Sequence, residues 1–183
     1  MKKNGFSLLN YAGSLLIVHL FALLISLVII NVLNFFSNDG IPVLRLILCA
    51  SVYFIICYVD FWHKGNADRN RIKLGVIPNN KIRAVFAGLI AAIPGFMLSV
   101  IALLTEIGAA SFLDVFTVDI FTTLNRLWHL PLGTLYEFVN TAPVLNLIIP
   151  LFLPIAAEIG YICGMYEITL KKYFIYTNES EED

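Results

Sequence analysis

Three side chains with acid–base or hydrogen-bonding chemistry lie within long apolar runs of the sequence: Glu158, His19 and Tyr161. A carboxylate is costly in hydrocarbon and normally faces a bundle interior or a water-filled cavity. Pro150 and Pro154 each remove a backbone donor and free a carbonyl, so they predict a kinked helix before Glu158. Glu158 is therefore a candidate proton or cation site. The alternative is a protonated or hydrogen-bonded carboxyl that fixes helix packing.

His19 lies in a stripe of small and polar residues, with Ala12 and Ser26 on the same helical face. Such a stripe favours close contact between helices in a membrane. His19 would pair with Glu158 if the first and last apolar segments touched, which the sequence does not determine. A hydrogen-bonded packing histidine is the alternative to a proton relay.

A polar stretch, residues 63–83, interrupts the apolar pattern and is rich in basic side chains. Basic groups beside a membrane attract anionic lipid head groups by about 1 kcal/mol per charge. This predicted basic loop would bind phosphate groups or a partner, or its charge would only set the topology. The candidate residues in and beside it are Trp62, Gly65, Asp68, Arg69 and Asn70.

No motif of a known enzyme class is present, whether HExxH, GxSxG or a Walker phosphate loop. His63 and His129 are predicted on opposite sides of the membrane and so share no site. The cysteines lie in apolar runs without metal-ligand spacing: Cys49, Cys57 and Cys163. We therefore predict a protein that is not an enzyme, with no catalytic residue, no metal, no cofactor and no nucleic acid among its partners.

The composition explains where these polar residues must lie. The chain of 183 residues is 59% hydrophobic and 14% charged, whereas soluble domains are about 25% charged and roughly 45–50% apolar. A helix needs about 20 apolar residues to cross a bilayer. The continuous apolar runs predict an all-α transmembrane helical bundle with a kink at Pro94. Its four predicted spans cover residues 6–36, 43–62, 84–104 and 144–168.

The stretch between the third and fourth predicted spans, residues 105–143, is apolar but carries Asp114 and Asp119. Each aspartate at the centre of a spanning helix would cost about 2.5–3.5 kcal/mol. An interfacial amphipathic helix avoids that cost and is the prediction here; whether residues 108–130 span the membrane stays open. Residues 1–172 are predicted as one transmembrane domain, and 173–183 as an acidic, disordered tail.

The Lys and Arg residues predict the orientation, because cytoplasmic segments are enriched in them. In the four-span topology only Arg45 and Arg126 fall on the outer side. The remaining ten fall on the other side: Lys2, Lys3, Lys64, Arg69, Arg71, Lys73, Lys81, Arg83, Lys171 and Lys172. Both termini are therefore predicted to be cytoplasmic.

Three groups of residues carry a resemblance: Trp62…Gly65…Asp68-Arg69-Asn70…Gly75, then Arg83…Gly88…Ile93-Pro94, and Gly160-Tyr161…Gly164. From Val59 onward the chain resembles uncharacterised multipass membrane proteins of low-GC Gram-positive bacteria. The resemblance implies a bacterial plasma-membrane location and no particular activity.

Together these observations predict a small multipass membrane protein of the plasma membrane, acting as an accessory or transport-associated component. A proton- or ion-coupled transporter or channel subunit using Glu158 on a proline-kinked helix is the alternative, and an intramembrane enzyme is a less favoured one. Membrane lipids are the expected partners, with anionic head groups at the basic loop. A homo-oligomer and a larger membrane complex both stay open.

Overall fold

The computed structural model describes residues 3–36, 42–106, 115–133, 135 and 146–168. These residues form an all-α fold without strands, which confirms the predicted fold class. The α-helices are α1 (Lys3–Phe36), α2 (Pro42–Lys73), α3 (Arg83–Glu106), α4 (Val115–Trp128) and α5 (Phe152–Met165). Short 3₁₀ turns cover Leu130–Leu132 and Ile149–Leu151. The predicted tail, 173–183, and the parts 107–114 and 136–145 of the predicted outer segment lie outside the described residues.

Three helices are long and apolar enough to cross a membrane: α1, α2 and α3. They identify the chain as a membrane protein. The apolar stretch that contains α5 is shorter, Ile149–Met165, and at 1.5 Å per residue it reaches roughly 25 Å. A hydrocarbon core is about 30 Å thick, so this stretch covers most of that depth but not all of it.

Helix α2 continues eleven residues past the predicted end of its span, to Lys73. The assignment of residues 63–73 to a loop was therefore wrong. Arg71 and Lys73 lie in the last turn, where positive charge interacts favourably with the helix dipole. The helix ends where Gly75 adopts a positive φ of 69° and Val76 N–H bonds to the Arg71 carbonyl. Glycine is suited to this end because the left-handed conformation costs it little.

Helix α4 runs antiparallel to α3. Ser99 of α3 donates to Asn125 at 3.2 Å, and Gly95, near the middle of α3, faces Trp128 and His129. The predicted helix is present, but its C-terminal end reaches the middle of α3. The interfacial placement of this helix stays a prediction.

The three prolines predicted to kink helices have different positions. Pro94 lies inside α3, which is helical on both sides of it, and the kink there stays a prediction. Pro150 belongs to the 3₁₀ turn before α5, so the helix is broken there rather than bent. Pro154 lies in the first turn of α5, where its missing N–H removes no helical hydrogen bond.

Glycines bring α5 against both of its neighbours. A Cβ at Gly88 of α3 would collide with Pro154. A Cβ at Gly160 would lie 2.5 Å from the Tyr58 carbonyl oxygen, and one at Gly164 would collide with the Trp62 backbone. Small residues allow helix backbones to approach closely. The small residues of α3 and α5 thus form packing faces, and α5 lies between α2 and α3.

Candidate functional site

The carboxylate of Asp68 is fully buried and receives bonds from three other helices. Tyr11 of α1 donates to Oδ1 at 2.8 Å, and Tyr161 of α5 donates to Oδ2 at 2.9 Å. Arg83, the first residue of α3, donates to Oδ2 at 2.8 Å. Arg71 adds a longer ion pair of 3.5 Å from within α2. These residues, hereafter the Asp68 cluster, join four helices at one end of the bundle.

Two features of the chain build this cluster. The extension of α2 beyond Trp62 carries Asp68 into the space between the helices. Gly65, one turn earlier, lets α5 approach, since a Cβ there would collide with the Tyr161 carbonyl. The close approach brings the Tyr161 hydroxyl within reach of Asp68. A buried carboxylate is tolerated only when it is paired and hydrogen-bonded, and Asp68 has both kinds of partner.

A second charged group lies one to two turns away, between α1 and α2. Lys64 pairs with Asp60 on the same helix and donates to the Ser14 hydroxyl of α1 at 2.8 Å. The ammonium group also lies over the Phe61 ring, 4.3 Å from its centroid. A cation near an aromatic face is stabilised by the ring quadrupole. This group therefore ties α1 to α2.

Glu158, the principal sequence candidate, caps another helix. Its Oε2 accepts a hydrogen bond of 3.0 Å from the backbone N–H of Val85, in the first turn of α3. The first N–H groups of a helix have no partner within the helix, and that end carries partial positive charge. A carboxylate is therefore well placed there. Glu158 lies in the middle of α5, and its carboxylate is level with the beginning of α3.

His19 lies halfway along α1 and meets the end of α4. Its Nε2 is 3.1 Å from the carbonyl oxygen of Trp128. Its ring contacts Tyr53 edge-on, with centroids 5.8 Å apart, and lies 4.9 Å from the Trp128 ring. His19 is buried in the core. We call His19, Tyr53, Trp128 and His129 the His19 cluster.

The position of Trp128 and His129 depends on α3 and α4. The buried Asn125 accepts from Ser99 through its side chain, and its backbone carbonyl lies 3.0 Å from Nδ1 of His129. A Cβ at Gly95 would lie 3.0 Å from both Trp128 Nε1 and His129 Nε2. Gly95 thus leaves the room in which these two rings lie.

A small cavity of about 10 Å³ adjoins the His19 cluster. It lies where the two 3₁₀ turns meet the long helices: its lining includes Pro131 and Leu132 from one turn and Ile149 and Pro150 from the other. Irregular backbone at membrane depth is tolerated only where it is buried in protein or lines a cavity. Both conditions are met here.

The remaining candidates from residues 62–70 have separate roles. Trp62 donates from Nε1 to the Ile168 carbonyl at 2.9 Å, which ties the end of α5 to α2. Arg69 pairs with Glu167, and Asn70 is exposed. Further along, Lys81 donates to the Tyr166 hydroxyl at 2.8 Å, and this bond raises the pKa of Lys81 above its usual value.

The structure therefore separates the three residues grouped from the sequence. His19 bonds to Trp128, Glu158 to Val85, and Tyr161 to Asp68. Sequence reasoning missed Trp128 and His129 as core residues. The available signal was the polar Asn125 on an amphipathic helix that runs directly into Trp128, His129 and Pro131.

Among the described residues, no three His, Cys, Asp or Glu side chains are grouped so that they could hold a metal ion. No family model matches the chain, and no curated protein or solved structure is significantly similar to it. The geometry of the two clusters is therefore the basis for assigning a function.

Proposed function

We propose that the protein is a transport-associated component of the plasma membrane, and that protons or small ions pass by way of the His19 cluster. The observation that carries this proposal is the meeting of two broken, short helical segments at a cavity halfway along α1 and α3. Discontinuous helices near the bilayer centre frame the binding sites of many secondary transporters. His19 supplies a titratable group at this place.

The same geometry argues against Glu158 as the conducting group. Its carboxylate is engaged by the first turn of α3, at the end of the bundle, and Asp68 is engaged by four donors. Both carboxylates thus have packing roles in this proposal. This replaces the Glu158 path considered from the sequence.

The test compares two variants in reconstituted vesicles that carry a pH-sensitive dye. His19→Gln keeps a donor for the Trp128 carbonyl but removes the titratable ring, so we expect it to abolish proton or ion flux. Glu158→Gln keeps an acceptor for Val85 N–H, so flux should persist. Unchanged flux in a folded His19→Gln protein would overturn the proposal and favour a purely accessory role.

The accessory role has an observation of its own in its favour. Between α2 and α3, the side chains of Leu74, Val76 and Ile82 are 78%, 68% and 54% exposed. They lie among the basic Lys73 and Lys81. A surface of apolar and basic side chains suits the interface of an anionic leaflet. Native mass spectrometry should detect bound anionic lipid, and less of it after Lys73→Gln and Lys81→Gln together.

The distribution of Lys and Arg supports an orientation with both termini in the cytoplasm. In this orientation the Asp68 cluster faces the cytoplasm and α4 enters from the outer side. A reporter enzyme fused after Asp183 should then be active only in the cytoplasm. Activity on the outer side would mean that the number of crossings is odd.

A further inference from the structure

The cavity beside His19 has the volume of one water molecule. Its volume is about 10 Å³, and a site needs roughly 10–15 Å³ by this measure to accept a water. His19, Gly95 and Pro150 are among the residues that line it. The cavity is therefore too small for an organic ligand but close to the lower limit for a water.

The hydrogen bond of His19 fixes the state of its other nitrogen. Its Nε2 faces the Trp128 carbonyl, and a carbonyl oxygen only accepts, so Nε2 carries the proton. In the neutral ring Nδ1 is then a lone-pair acceptor. Nδ1 is fully buried, on a side chain only 4% exposed, and meets no hydrogen-bond donor among the described residues. A buried acceptor of this kind normally bonds to protein or to ordered water.

We propose that this cavity binds a single water molecule, which donates a hydrogen bond to Nδ1 of His19. Nδ1 of His19 is the atom that the water would bind, and Tyr53, Trp128 and His129 also line the cavity. The site requires no transport activity, so its test is independent of the proposed function.

The test is solid-state NMR of the full chain in lipid bilayers with ¹⁵N-labelled histidine. We expect a direct correlation between His19 Nδ1 and a slowly exchanging water proton, and a ¹⁵N shift typical of a hydrogen-bonded acceptor. The exposed His63 provides a reference for contact with bulk water. A shift typical of an unbonded nitrogen, with no water correlation, would overturn the proposal.

A matched pair of glycine variants tests the location. Gly95→Ala adds a methyl group to the cavity lining, whereas a Cβ at Gly13 meets nothing within 4 Å. The water correlation should be lost completely in Gly95→Ala and kept in Gly13→Ala. A correlation that persists in folded Gly95→Ala would place the water elsewhere and overturn the assignment. If Gly95→Ala does not fold, the measurement on the unmodified protein still decides whether Nδ1 is hydrated.

Discussion

The Asp68 cluster and the His19 cluster hold polar side chains inside one bundle by different means. Around Asp68 the charge meets an arginine and two tyrosine hydroxyls at 2.8–2.9 Å. Around His19 the neutral ring bonds to a backbone carbonyl, its second nitrogen meets no donor among the described residues, and the residue lines a cavity. In the Asp68 cluster protein donors occupy the acceptor atoms, whereas the His19 cluster leaves space for one water molecule.

The difference follows from charge. An uncompensated buried charge costs several kcal/mol, so a carboxylate must be surrounded by partners before the helices can close. A neutral acceptor without a partner costs about 1–3 kcal/mol, which a folded bundle tolerates or offsets with one water. We therefore expect changes at the Asp68 cluster to affect stability, and changes at the His19 cluster to affect function more than stability.

Arg83→Met should have the largest effect on stability. It leaves the buried carboxylate of Asp68 without its close cation, and breaking such a pair costs about 3–5 kcal/mol. The free energy of unfolding is measured in detergent or in bilayers. Arg71→Gln is the matched control, because the Arg71 side chain is 55% exposed and 3.5 Å away, and such pairs contribute about 0–1 kcal/mol. Equal losses for both variants would contradict the central role of Arg83.

Tyr161→Phe should have the second-largest effect on stability, because it removes one hydrogen bond to the charged Asp68. Bonds to charged groups contribute about 1.5–3 kcal/mol. Phenylalanine keeps the ring packing, so the loss reports on the hydroxyl alone. A double variant with Tyr11→Phe should lose more than the sum of the two single losses, since each hydroxyl partly compensates for the other. Strict additivity would show that the two tyrosines act independently.

Gly164→Ala should cost about 1–3 kcal/mol, in the range of overpacked cores. Its added methyl group would collide with the Trp62 backbone on α2. Gly13→Ala is the control: its Cβ meets nothing within 4 Å, and alanine is preferred to glycine in a helix by about 0.5–1 kcal/mol. Thermal unfolding of both variants should therefore shift in opposite directions. A loss of stability in Gly13→Ala would indicate a partner on the exposed face of α1.

Glu158→Gln should have the smallest effect on stability. The amide oxygen still accepts from Val85 N–H, and only the attraction of the charge to the start of α3 is lost. That attraction contributes about 0.3–1 kcal/mol at a helix end. The free energies of unfolding of Glu158→Gln and Arg83→Met, measured under the same conditions, would check this ranking. A loss as large as that of Arg83→Met would mean that Glu158 has a further essential partner.

The sequence predicted the long helices well, because continuous apolar residues in lipid admit few other structures. It predicted the end of α2 poorly. The polar residues after Trp62 suggested a loop, but Asp68 and Gly65 face α1, α3 and α5 rather than solvent. Glycine and aspartate are weak helix formers, and tertiary contacts here outweigh that preference. The partners of α4 and of Glu158 were not predictable for a related reason: residue types do not show which helices are neighbours in the bundle.

The sequence by itself determined that this chain is a helical membrane protein, because hydrophobicity is a local property. It predicted four spans, and among the described residues three helices are long and apolar enough to cross a membrane. Only the tertiary structure decided which polar groups meet. In lipid a helix such as α1 is apolar nearly all round, so its pattern does not identify its neighbours. The assignment of Asp68 to Arg83, Glu158 to Val85 and His19 to Trp128 came from the packing of helices distant in sequence.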